Sequence, residues 1–126
     1  MALPCPCGTG DPYAECCRPL LRGEREATDA SALMRSRYTA YVREDERYLL
    51  CTWHPSTRPT ALALGGQTWL GLTVAAFVMD PQDPARATVT FTALWRDGEG
   101  LPRTMRETSR FVREGGQWLY VDGDVS

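Results

Sequence analysis

The chain has 126 residues, 43% apolar and 24% charged, which is enough for one ordinary domain with a small appendage and too apolar for intrinsic disorder. Its 14 basic residues, all arginine, face 16 acidic ones, and a net charge of −2 gives no overall attraction for nucleic acid or anionic lipid. No window approaches the roughly 18 apolar residues of a membrane span and the start, MALPCPCGTG, lacks the regions of a signal peptide, so a cytoplasmic setting with reduced thiols is expected.

Composition shifts near residue 25. Residues 1–25 hold four of the five cysteines with Pro4, Pro6, Pro12 and Pro19, and show almost no apolar periodicity. A segment that short cannot bury enough surface to fold unaided. In Cys5-Pro6-Cys7 the proline favours extended backbone, which aims both sulfurs the same way. Gly8 and Gly10 let the chain turn back, and Asp11-Pro12 reads as the start of a short helix that delivers Cys16 and Cys17. Four convergent thiolates suit a single tetrahedral zinc ion with no open position, a structural rather than a catalytic site. The alternatives are disulfides from Cys16 and Cys17 back to Cys5 and Cys7 in an oxidised protein, or iron in place of zinc.

Residues 26–126 read as a second, α+β domain. A helix capped by Thr28 or Asp29 carries Leu33, Met34, Tyr38, Tyr41 and Val42 in one apolar stripe. A shorter helix, about 45–53, turns Tyr48, Leu49 and Trp53 inward and makes Cys51 a small core side chain, and Pro59 opens a further turn or short helix. Period-two alternation then sets in. Leu70, Leu72, Val74, Ala76 and Val78 are expected on one face of the first strand, and Val89, Phe91, Ala93 and Trp95 on one face of the second. RTMRETSRFVR and QWLYVDG complete about four antiparallel strands, with turns at DGEG and EGG. Helices followed by a meander suggest a curved sheet closing around them as a cone.

One residue breaks the strand pattern. Met105, Glu107, Ser109 and Phe111 alternate with Thr104, Arg106, Thr108 and Arg110; the arginines seek water, so Glu107 points inward, where a carboxylate needs a partner. Arg37 and His54 are the expected partners. Glu107, His54 and Tyr38 could form an acid–base group at the bottom of the cone, and a structural ion pair with Arg37 is the alternative. Tyr38, Tyr41, Trp53, Trp69, Trp95 and Trp118 could border the same pocket or simply fill the core. Arg103, Arg106, Arg110 and Arg113 are read as an outer ribbon, a candidate contact for RNA or the ribosome and equally a solvated face.

C-x-C, eight residues, then C-C resembles the SEC-C motif found in the tail of the protein-export motor SecA, where the last ligand is commonly His and here is Cys17. ALMRSRYTAYV, YLLCTWHPSTRP, WLGL, ETSRFVR and WLYVDG together resemble the YchJ-type bacterial proteins over nearly the whole chain. The resemblance implies an N-terminal zinc knuckle joined to a cone resembling nuclear transport factor 2. It also implies a docking role, because the motif in SecA contacts a chaperone and ribosomes. The expected function is therefore a zinc-binding adaptor with a protein partner and no catalytic residues; the alternative is a small-molecule binder or enzyme using the cone. Cones of this type often pair through their sheets, so a homodimer is a further expectation.

Overall fold

A computed structural model of the chain describes residues 3–126. The N-terminal region holds a 3-10 helix, Tyr13–Glu15, and a one-turn helix α1, Arg18–Leu21. Helices α2, Ala30–Val42, and α3, Glu46–Cys51, come next, and then strands β1, Thr68–Asp80; β2, Asp83–Arg96; β3, Pro102–Glu114; and β4, Gln117–Val125. The strands form one antiparallel meander in the order β1-β2-β3-β4.

Local chemistry sets the helix ends. Asp29 caps α2 by accepting from the Ala32 amide at 2.7 Å, and Asp45 caps α3 by accepting from the Tyr48 amide at 3.1 Å. Between them Glu44 takes the left-handed conformation, φ 55°, with the Asp45 amide bonded back to the Ala40 carbonyl at 2.8 Å, a reversal usually left to glycine. Pro59 starts no helix; residues 58–67 run without regular structure to β1. Cys51 ends α3 and is exposed, not buried, because the inward positions of this short helix are taken by Tyr48 and Leu49.

One face of α2 packs on the sheet. Leu33, Met34 and Tyr38 meet Val89, Phe91, Ala93, Phe111 and Trp118 in the main core. The other faces of α2 are buried as well: Ser36, Thr39 and Ala40 are 0% exposed. A second cluster of Cys5, Cys7, Cys17, Leu21, Tyr48 and Leu49 surrounds Ala40. The helix is thus clamped between sheet and knuckle, which a single apolar stripe does not anticipate.

Strand β1 departs from strict alternation. Register shifts between Trp69 and Gly71 and between Val74 and Ala76 each insert an extra residue, and each flips the parity of the residues beyond it. The residues that pair with Trp95, Ala93, Phe91, Val89 and Ala87 are Trp69, Leu72, Val74, Phe77 and Met79, of which Phe77 and Met79 lie past the helix and are 39% and 42% exposed. Leu70 and Val78, expected inside, are 43% and 55% exposed.

Strand β3 pairs with β2 without a break, placing Met105, Glu107, Ser109 and Phe111 opposite Ala93, Phe91, Val89 and Ala87 on the inner face. The same parity corrects the arginine ribbon. Arg103 and Arg113 share the Glu107 face, beyond the core at either end, and only Arg106 and Arg110 lie outside. Arg110 is engaged by Asp122 at 2.5 Å and Asp124 at 2.7 Å, and Arg103 by Asp97 at 3.0 Å.

Candidate metal centre and cone cavity

The four-cysteine cluster is assembled by short-range backbone bonds. The Gly8 amide donates to the Cys5 carbonyl at 3.2 Å, folding the chain into a tight knuckle, and the Cys5 amide donates to the Asp11 carbonyl at 2.9 Å. Gly8 sits at φ 83°, where a side chain would be strained. The expected Asp11 cap is not made: the 3-10 turn begins after Pro12 without a side-chain cap, and the Asp11 amide instead donates to Thr9 Oγ1 at 3.3 Å. That turn still presents Cys16 and Cys17 to the first pair.

All four sulfurs lie within 4.8 Å of one another. Cys7 and Cys16 are 3.6 Å apart, and Cys16 and Cys17 4.0 Å. A regular tetrahedron with metal–sulfur bonds of about 2.3 Å has sulfurs about 3.8 Å apart, so the donor set fits a single ion, whereas a disulfide needs about 2.05 Å. All are free cysteines. The S–H of Cys17 and the Thr9 groups lower the Cys7 thiol to about 4 against the opposing effect of burial. Burial and the neighbouring Cys7 thiolate raise Cys16 to about 11, and Cys17 is raised chiefly because its proton is held on Cys7. One thiolate thus shares its neighbours' protons, which a bound cation displaces. Thr39 Oγ1 lies 3.7 Å from Cys5 Sγ, and Arg35 Nη1 donates to the Cys7 carbonyl at 2.6 Å, so α2 supplies the outer support.

The cone is not packed solid. A cavity of about 290 Å³ is lined by Arg37, Tyr38, Tyr41, Trp69, Glu107 and Tyr120, among others. Glu107 accepts from Ser109 Oγ at 2.5 Å and from Tyr120 OH at 3.5 Å through the same oxygen, Oε2. Its carboxylate lies over Gly123, where a Cβ would overlap Oε2. That glycine, inside a strand pattern, is the sequence signal for a close approach.

Neither expected partner reaches Glu107. Arg37, 4% exposed, donates from Nη1 to the Leu49 carbonyl at 2.8 Å and Thr52 Oγ1 at 2.7 Å. Its guanidinium lies 5.0 Å from the Trp53 ring centroid and 4.6 Å from that of Tyr120. Burial pushes its pKa down, with Tyr41 and Tyr120 opposing. His54 lies outside the cavity, because its backbone extends β4: its amide donates to the Tyr120 carbonyl at 2.8 Å. Its Nδ1 accepts from the Ser56 amide at 3.1 Å, which leaves Nε2 to donate to Glu114 at 2.9 Å. Glu107, His54 and Tyr38 therefore form no acid–base group. Trp53 packs edge-on against Tyr120 at 5.0 Å, its buried indole N–H finding no acceptor among the described residues, and Trp95 packs on Trp69 at 5.6 Å; neither lines the cavity. Trp69, one of the aromatics expected to border a pocket, and Ser109, expected on the inward face, do line it, while Tyr120 carries no sequence signal that singles it out.

Among the described residues, no helix is long and apolar enough to cross a membrane. Comparison with known proteins gives two family matches, to the SEC-C motif over residues 1–19 and to the YchJ middle NTF2-like domain over residues 29–123. A UPF0225 protein of Xanthomonas oryzae is 51% identical over 122 residues, covering 94% of this chain and 92% of that protein. One from Deinococcus radiodurans is 46% identical over 120 residues, covering 94% and 87%. A SEC-C motif containing protein from Rhodopseudomonas palustris, solved in solution, superposes with a TM-score of 0.86 at 33% identity, covering 97% and 98% of the two chains. A crystal structure of a SEC-C motif containing protein from Psychrobacter arcticus gives 0.80 at 27% identity, covering 98% and 82%. With both modules matched and the relatives aligned nearly end to end, the chain belongs to the YchJ-type UPF0225 family, a SEC-C motif joined to an NTF2-like domain.

Proposed function

We propose that the four cysteines hold one structural zinc ion and that the chain is a binding protein organised by it, not a catalyst. The observation that carries this reading is the closed donor set, four sulfurs within 4.8 Å of one another, which fills every position of a tetrahedral ion and leaves none for a substrate. Zinc suits this soft ligand set and needs no redox partner. Small zinc modules gain on the order of 10–16 kcal/mol from the metal near neutral pH, enough to order a segment as short as residues 1–25. Elemental analysis of the purified protein, with thiol titration before and after chelation, tests the site. One zinc per chain and four thiols unmasked by chelator are expected. A metal-free protein with four reactive thiols, or an ion lost without unmasking them, overturns it.

What the module binds has two readings. The SEC-C resemblance favours a protein partner in the cytoplasm docking on the knuckle, whose turn Gly8–Asp11 is exposed. That reading requires a partner captured by the wild type and lost with Cys16→Ser; equal capture by both removes it, as does turnover of a metabolite by the purified protein. The second reading, a small molecule held in the cone, is favoured by the open cavity of about 290 Å³ that ends at Glu107.

A further inference from the structure

The cavity holds a buried positive charge and a carboxylate that do not meet. Arg37 and Glu107 both line it, and among the described residues neither takes part in an ion pair. Arg37 is 4% exposed, and Glu107 acts on its charge only through space, with no direct ion pair. Its Nη1 is used on Leu49 and Thr52, and its guanidinium carbon sits over the rings of Trp53 and Tyr120. Nη2 and Nε find no acceptor among the described residues, so the planar edge that suits a carboxylate stays free.

Glu107 receives Ser109 and Tyr120 on Oε2, and Oε1 receives no bond from the described residues. The walls between are aromatic: Tyr38, Tyr41, Trp69 and Phe91. Such walls tolerate an apolar body and attract a cation.

We infer that the cone cavity is a binding site for a compact zwitterion of the α-amino acid type, its carboxylate on Arg37, its ammonium on Glu107 and its side chain against the aromatic walls. Each ionised end of the ligand supplies the direct partner that Arg37 and Glu107 do not give each other. A cavity of about 290 Å³ lies at the small end of ligand pockets, a size that suits a molecule of amino-acid dimensions. An anion alone would leave Glu107 unmatched, and an amine alone would leave Arg37 unmatched. The inference rests on the cone holding a small molecule, and the experiment separates the two claims.

Zinc-loaded protein is titrated by calorimetry, with tryptophan fluorescence reporting on Trp69. The probes are the proteinogenic α-amino acids, each at up to millimolar concentration, with 3-phenylpropanoate, 2-phenylethylamine and toluene as anion-only, cation-only and neutral controls. Saturable binding of one or more amino acids is expected, weakened about tenfold or more in the Glu107→Gln variant, which keeps the shape and the Ser109 bond but removes the charge. Binding of 3-phenylpropanoate should be no weaker in that variant than in wild type. Binding of a control with no amino acid bound, or amino acid binding indifferent to Glu107→Gln, overturns the zwitterion while leaving the cavity as a ligand site. Failure of every probe, with the tryptophan signal unmoved, overturns both.

Discussion

Glu107 keeps its position because residue 123 has no side chain, and substitution there should be felt first by the carboxylate. A Cβ on Gly123 would overlap Glu107 Oε2 and stand 2.7 Å from Cδ and 3.0 Å from Cγ. Gly123 is not among the positive-φ glycines, so alanine fits its backbone and should by itself return about 0.5–1 kcal/mol in strand entropy. The clash is with the end of a flexible side chain, which must swing away from Ser109 Oγ. A hydrogen bond to a charged group contributes about 1.5–3 kcal/mol, and Ser109, 1% exposed, is left with a buried hydroxyl lacking that acceptor. The net expected loss for Gly123→Ala is about 1–2 kcal/mol, or about 4–8 °C in Tm for a domain of this size. In a Glu107→Ala background nothing has to move, so the same substitution should be neutral or slightly stabilising. Urea denaturation of the zinc-loaded protein across the four-member cycle measures the coupling, expected at about 1.5–3 kcal/mol. Equal destabilisation in both backgrounds would show that the strand, and not the carboxylate, suffers, and would refute the reasoning.

The bulges in β1 predict a contrast between two valines that strict alternation would treat alike. Val74→Thr places a hydroxyl against the core and should cost about 1–2 kcal/mol, while Val78→Thr, at a site 55% exposed, should stay within about 0.5 kcal/mol by the same denaturation assay. On the outer face, Arg110 holds the Asp124 carboxyl below the ordinary aspartate value of 3.8. A depressed folded-state pKa means that the stabilisation is fully present above that ordinary value and is lost as pH falls through the lower folded one. Asp124→Asn should therefore lower the melting temperature at neutral pH, converge with wild type in strong acid, and show a smaller difference as salt is added.

The sequence is most legible where one residue type carries one requirement. The four clustered cysteines need only their spacing, Asp29 marks the start of α2, and the inward position of Glu107 comes from Arg106 and Arg110 on the opposite parity. Four features require knowledge of what lies across the chain. Gly71, inside the strand pattern, is the one local sign of the first β1 bulge, and nothing at Ala75 announces the second. Pattern pairs Arg37 with Glu107, but α3 and Thr52 supply nearer acceptors. His54 is drawn away by the backbone bond that places it on the edge of β4. The burial of Ser36, Thr39 and Ala40 depends on the knuckle folding over them, which no periodicity in α2 can encode.

Helix α2 is the party wall between two compartments. Arg37 and Tyr38 look into the aromatic chamber, while Arg35 and Thr39, close beside them in the chain, brace the thiol cage. A rigid turn cannot tilt on one side and stay still on the other. A substitution that shifts α2 therefore disturbs the thiol cage and the aromatic chamber together.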